Sequence, residues 1–265
     1  MCLIFFSYDM HPRYQFILAA NRDEFYERPT APLDFWEDAP YILAGRDLRG
    51  KGTWMGITRT GRFAAITNFR DPASIRTDAP SRGLLLTNFL TGDESPQSYL
   101  ESVSHSGNQY KGFNLLVGNG ADLFYYSNRG HGVQKVRPGF YGLSNHLLDT
   151  PWPKVRKGKD ALNALFSERE IRTEAVFRVL GDQTHPPDSE LPDTGMGLEW
   201  ERILSPLFVT SQTYGTRSSS VLLVERDGEI SVAERTFVPV RGDLAKQQDT
   251  RRFCFYPGQG TSKSG

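Results

Sequence analysis

The chain has 265 residues, 38% of them hydrophobic and 23% charged, which is ordinary for a folded protein large enough to bury a substantial core. Its 31 basic and 31 acidic residues cancel, which leaves no basic footprint for nucleic acid or an anionic membrane. The two cysteines, Cys2 and Cys254, make no disulfide framework, and no apolar run approaches the roughly 20 residues of a transmembrane helix, so the expectation is a cytoplasmic protein without a membrane span.

Residues 2–8 (CLIFFSY) and 14–21 (YQFILAAN) are apolar runs separated by Asp9-Met10-His11-Pro12-Arg13, a hairpin signal. Neither run alternates, which predicts strands buried on both faces. Leu3 to Phe6 is too short for the apolar region of a secretory signal, and no basic stretch precedes it. Residues 24–40 hold three of the 16 prolines and read as irregular. Residues 41–45 read as a short strand and 46–52 as a charged, solvated loop. Thr53–Thr58 and Arg62–Asn68 form a second hairpin over Arg59-Thr60-Gly61.

From Ser81 the period becomes helical. Ser81 and Asp93 or Ser95 suit N-caps, with Leu84, Leu85, Phe89 and Leu90 on one face and Tyr99, Leu100 and Val103 on another. Strands return at 113–118, 122–127, 132–136 and 140–144. A helix is predicted from Pro153, lined by Val155, Leu162, Leu165 and Phe166, and a short one over 173–180. Residues 185–193 read as a long surface loop, 214–225 and 229–238 as a last hairpin, and 251–256 as a final strand. Strands arrive as hairpins and alternate with helical blocks, which predicts an α+β fold with antiparallel sheets. Strands buried on both faces favour four layers, helix–sheet–sheet–helix. One domain is expected over 1–256, with a frayed tail at 257–265.

Cys2 stands out for chemistry. Its side chain is small, so Met1 is expected to be removed, leaving a thiol and a free α-amine on one residue. A thiol titrates near ~8.5 and an α-amine near ~7.7–8.0, so one can take the proton of the other. Taken alone, Cys2 also suits a small apolar residue opening a buried strand. Amide hydrolysis further needs an orienting group and oxyanion donors. Asp23 ends the strand beside Cys2 and can face the amine or thiol. Asn68 and Asn145 are candidate oxyanion donors, and Arg217 is a candidate partner for Asp23 or the thiolate. The alternatives are a structural Asp23–Arg217 ion pair and two turn asparagines. The five histidines are scattered without metal-ligand spacing, so no metal site is predicted. Cys254, between Phe253 and Phe255, reads as a core residue.

The motifs Met1-Cys2, Ala20-Asn21-Arg22-Asp23-Glu24-Phe25, Lys51-Gly52-Thr53-Trp54-Met55-Gly56, Ile66-Thr67-Asn68-Phe69-Arg70, Gly142-Leu143-Ser144-Asn145 and Leu148-Asp149-Thr150-Pro151-Trp152-Pro153-Lys154 closely resemble the NRDE, or transport-and-Golgi-organisation, family, from Met1 to about Val240. That family in turn resembles the N-terminal nucleophile (Ntn) hydrolases of the penicillin V acylase and bile-salt hydrolase branch. The resemblance implies an Ntn-hydrolase-like four-layer αββα sandwich. It also implies Cys2 as nucleophile, Asp23 as its orienting residue, Asn68 and Asn145 at the oxyanion, Arg217 as a late arginine, and a non-peptide N-acyl amide as substrate, with no cofactor. The sequence departs from the branch at Ala20, where the branch carries Arg within Arg-Asn-x-Asp. Arg22, on the same side of the strand, is placed to substitute. The resemblance also implies a second reading, a non-catalytic carrier of haem or acyl-CoA with Asn21, Arg22, Asp23 and Glu24 at its entrance. Cys2 thiolate would then be the candidate haem ligand.

Overall fold

The computed structural model describes residues 2–73, 78–240 and 243–258. Met1 and the expected frayed tail from Gln259 onward lie outside that range. In chain order the strands and helices are β1 (Cys2–Tyr8), β2 (Tyr14–Phe25), β3 (Thr30–Phe35), β4 (Ile42–Asp47), β5 (Met55–Thr58), β6 (Phe63–Asn68), α1 (Gly83–Thr91), α2 (Pro96–Ser106), β7 (Phe113–Gly118), β8 (Leu123–Ser127), β9 (Gln134–Lys135), β10 (Gly139–Leu143), α3 (Pro153–Leu165), α4 (Thr173–Leu180), α5 (Leu198–Ile203), β11 (Tyr214–Glu225), β12 (Ile230–Val240) and β13 (Asp243–Phe255).

They form two sheets, a six-stranded one in the order β10-β1-β2-β11-β12-β13 and a seven-stranded one running β3 to β9 in sequence, with antiparallel pairing in both. The two-sided apolar pattern of the first strands now has its cause. Ile4, Phe6, Phe16 and Leu18 pack between the sheets against Leu43, Ile57 and Leu116. Leu3, Phe5, Ile17 and Ala19 pack on the opposite face against Val155, Leu162 and Val176 of α3 and α4. On the far side, Leu86, Phe89 and Leu100 of α1 and α2 cover Ala64, Leu115 and Val117. The result is the four-layer α+β sandwich, αββα, that the sequence implies.

Several elements differ from the sequence expectation. The segment read as irregular contains β3, an edge strand. Pro32 sits in it at a register shift between Ala31 and Asp34, where no ladder donor is required. α1 starts at Gly83 with Arg82 rather than Ser81 at its cap position, whereas Ser95 does cap α2, its Oγ accepting from the Ser98 amide at 3.1 Å. α5 falls in a stretch with no predicted element, and β13 begins at Asp243, well before residue 251. α3 starts at Pro153 as predicted, and its Gly158 lies on Phe5: a Cβ there would stand 2.0 Å from the ring.

Candidate active site

β1 begins and β2 ends at the same end of the sandwich, because the two strands are antiparallel and Cys2 pairs with Arg22. A cleft of about 340 Å³ opens there. Cys2, Arg22, Asp23, Glu24 and Asn68 line it, together with Trp54 and Arg82. Cys2 shares the inter-sheet face of β1 with Ile4 and Phe6. Burial among these groups pushes its thiol upward, so at neutral pH it needs a base to become a nucleophile.

Asp23 is buried and lines the same cleft as Cys2. Its carboxylate accepts from the Thr216 hydroxyl at 2.8 Å, and its backbone carbonyl accepts from the Tyr214 hydroxyl at 2.9 Å. Burial raises the carboxyl, and the largest opposing effect is the charge of Lys154. Lys154 is itself buried near the start of α3, where its Nζ donates to the Leu204 carbonyl at 3.0 Å. Burial, reinforced by the charge of Arg70, lowers this amine to about 8, while Asp23 and Cys2 act in the opposite sense. Lys154 is therefore a member of the site that the residue-by-residue reading missed. The signal was its place at the end of the Leu148-to-Lys154 motif.

A buried polar seam explains why the motifs around Asn68 and Asn145 belong together. Thr67 at the end of β6 donates from its hydroxyl to the Ser144 carbonyl at 2.7 Å. Asn145 donates from Nδ2 to the Asn68 carbonyl at 3.0 Å, and the Arg70 amide donates back to the Asn145 carbonyl at 2.7 Å. Asn114 joins them, its Nδ2 donating to Thr67 Oγ1 and to the His146 carbonyl, while its Oδ1 accepts from the Tyr125 hydroxyl. Beyond the seam, Arg70 forms a buried ion pair with Glu201 and lies 4.7 Å over the Trp152 ring. The seam fixes the backbone of Asn68 and leaves its side chain on the cleft, with no hydrogen bond among the described residues.

Three predicted residues are placed elsewhere. Asn145 is fully buried, and its amide is engaged in the seam, so it positions Asn68 and does not line the cleft. Asn21 is also fully buried, on the helix side of β2. Its Nδ2 donates to the Leu180 and Leu207 carbonyls, and its Oδ1 accepts from the Ser219 hydroxyl, which makes it a brace and not a ligand contact. Arg217 sits at a register shift in β11 between Thr216 and Ser218, and the bulge turns it off the ladder. Its Nη1 donates to the Phe25, Tyr26 and Arg28 carbonyls, and it lines a neighbouring cavity of about 240 Å³. It is paired neither with Asp23 nor with the thiol. Arg22 forms the wall between the two cavities. It stacks 4.1 Å from Trp54 and donates to the Thr30 hydroxyl at 3.2 Å, while Ala20 lies in the inter-sheet core.

The profile of the family described as Transport and Golgi organisation 2 matches residues 1–239. The chain belongs to that family. A bovine relative named Transport and Golgi organization protein 2 homolog is 40% identical over 90% of this chain and 94% of its own length. The human homolog is 39% identical over the same shares, and the Drosophila melanogaster Transport and Golgi organization protein 2 is 31% identical over 89% and 92%. Among solved structures, a Caenorhabditis elegans N-acylethanolamine-hydrolyzing acid amidase ortholog is similar with a TM-score of 0.40 at 10% identity, covering 84% of this chain and 92% of that one. The stretch shared with the Transport and Golgi organisation 2 family takes in every residue of the cleft described above. Among the described residues, no helix of this family member is long and apolar enough to cross a membrane, and no three His, Cys, Asp or Glu side chains are grouped to hold a metal.

Proposed function

We propose that the chain is a cysteine amidohydrolase of the N-terminal nucleophile type, cutting a non-peptide N-acyl bond in a reducing compartment such as the cytoplasm. The observation that carries this is the meeting of Cys2 and a buried Asp23 on one cleft, with the charge of Lys154 opposing the burial of that carboxyl. With Met1 removed, the α-amine of Cys2 takes the thiol proton and Sγ attacks the substrate carbonyl carbon. Asn68 Nδ2 donates to the resulting oxyanion. Collapse breaks the C–N bond, and the ammonium returns its proton to the departing amine. Water then hydrolyses the thioester, releasing the carboxylic acid and restoring the thiol. Asp23 orients the amine, Asn145 holds Asn68 in place, and Arg217 braces the backbone that follows β2. The resemblance to the penicillin V acylase and bile-salt hydrolase branch supports the roles of Cys2, Asp23 and Asn68.

The test is the intact mass of the native protein followed by turnover of an N-acyl panel. Loss of Met1 and an acyl adduct on Cys2 are expected, with Cys2→Ala lowering turnover by at least about a thousandfold, in line with loss of a nucleophile. Retention of Met1, or turnover indifferent to Cys2→Ala, would sink the reading.

A carrier function is the second reading, for haem or a fatty acyl group such as that of acyl-CoA. It is favoured by a cavity of about 240 Å³ at the other end of the sandwich, walled by Phe16, Ile57, Phe63 and Leu123. Saturable binding of haem or acyl-CoA at micromolar concentration, unaffected by Cys2→Ala, would support it over hydrolysis.

A further inference from the structure

The charges around Cys2 do not pair off. Arg28 donates to Asp47 Oδ2 from both Nε and Nη2, at 2.9 and 2.7 Å, and also lies 3.9 Å from Glu24. Asp23 faces the charge of Lys154. The acids on the cleft wall are thus committed, whereas Arg22, Arg82 and Lys111 line the same cleft and make no ion pair among the described residues. Arg22 is held by its stack on Trp54.

Arg82 is half-buried at the start of α1 and uses Nη1 to donate to the Gly112 carbonyl at 2.8 Å, the one hydrogen bond its guanidinium makes among the described residues. A guanidinium has five N–H donors, so most of its fork is available. Burial disfavours its charge; Cys2 and Glu24 act in the opposite sense, but no carboxylate among the described residues forms an ion pair with it. The fold holds this arginine at the cleft through a backbone contact without side chains. A Cβ on Gly52 would stand 2.3 Å from the Gly83 carbonyl carbon, and the Thr53 amide donates to the Gly83 carbonyl at 3.4 Å. Lys111 is exposed at the rim.

We propose that the cleft is built for a small N-acyl amino acid, whose carboxylate is held by Arg82 with Lys111 while its amide lies at Cys2. This deepens the hydrolase reading and rests on it for which bond is cut. A free guanidinium fork beside an ammonium is a carboxylate site, because the fork matches both oxygens. In an N-acyl amino acid the carboxylate is only one carbon from the amide nitrogen. That short span suits Arg82 and Cys2, which line the same small cleft. The lining includes Glu24, Thr53, Asn68 and Ser81 beside Trp54 and Ile66, so a long acyl chain would find little apolar wall, and about 340 Å³ suits a small ligand.

The experiment uses the Cys2→Ala protein, which cannot turn substrate over, and follows titration with N-acetylalanine and with its neutral amide by NMR. The acid is expected to bind at least tenfold tighter than the amide. Arg82→Gln should remove most of that preference, Arg82→Lys should retain part of it, and Lys111→Gln, at an exposed position that leaves the fold intact, should cut it severalfold. Equal binding of acid and amide, binding of neither, or a preference that survives both Arg82→Gln and Lys111→Gln overturns the proposal. Wild-type turnover of the same pair separates the two claims. Cleavage of acid and amide at equal rates keeps the hydrolase and overturns the carboxylate site. Acid-selective binding without any turnover keeps the carboxylate site and overturns the hydrolase.

Discussion

A lysine buried beside a carboxylate is a costly choice, and Lys154 shows what it is used for. Its amine is lowered to about 8 because burial disfavours the ammonium and Arg70 repels it, while Asp23 and Cys2 hold it partly charged. It can therefore neutralise Asp23 near neutral pH and still yield its proton with little change in free energy. The cost appears as a pH dependence of stability. An unfolded lysine keeps its proton to about 10.4. Below about pH 8 both states are protonated, and the burial penalty is present in full. Between about 8 and 10.4 the unfolded chain binds more protons than the folded one, so stability rises with pH and the penalty fades. Measured against Lys154→Met, which has no titrating amine, wild type should gain on the order of 2 kcal/mol between pH 7.5 and 9.5 in urea unfolding. Parallel pH dependences in the two proteins would refute this. Sequence reasoning reached Cys2 and Asp23 because an antiparallel hairpin places the start of one strand against the end of the next. It did not reach Lys154, because lysines are rarely buried and nothing local signals that one will be. Arg217 went astray for a related reason: a bulge changes which way a strand residue points, and no pattern in the 214–225 run announces it.

Among the elements, α3 shows local propensity yielding to packing. Gly158 lies inside a helix, where alanine is normally better by about 1 kcal/mol. Here the missing Cβ makes room for Phe5 of β1, whose ring would lie 2.0 Å from it. The fully buried Phe5 packs in the same cluster as Val155 and Leu162 and cannot move aside without displacing them. Gly158→Ala should therefore destabilise, by up to about 2 kcal/mol once the propensity gain of about 1 kcal/mol is set against an overpacking cost of about 1–3 kcal/mol. Phe5→Leu in the same chain should recover most of the loss. A stabilised single mutant in denaturant unfolding would show that the ring relaxes freely. The same competition decided which elements were readable. α3 carried its start signal in Pro153 and its apolar face in Val155 and Leu162. β3 was hidden because Pro32 is a breaker everywhere except at a sheet edge or bulge. α5 was hidden because its six residues are too few to establish a period.

At the scale of the whole molecule, the layer order followed from the first two strands, since only a sheet covered on both sides needs apolar residues at every position. The two ends of the sandwich were not readable, because cavities arise where strands splay and loops stop short, and neither leaves a pattern in the chain. The Cys2 cleft and the apolar cavity lie at opposite ends of β2, with Arg22 at one and Phe16 at the other, roughly 20 Å apart at about 3.3 Å per residue. The intervening core of Ile4, Phe6, Leu18 and Leu116 is close-packed, so a change at one end has no loose path to the other. Filling the apolar cavity should then leave the cleft untouched. Val224, partly buried on the cavity wall, is the position to use. Val224→Phe is expected to weaken binding of a fluorescent fatty-acid probe by about tenfold, the equivalent of about 1.4 kcal/mol, while leaving the rate of Cys2 alkylation by iodoacetamide unchanged. Cys2→Ala should in turn leave the probe's affinity unchanged. If Val224→Phe altered the alkylation rate, the two ends would be coupled through the core, and hydrolysis and carriage would have to be treated as one activity.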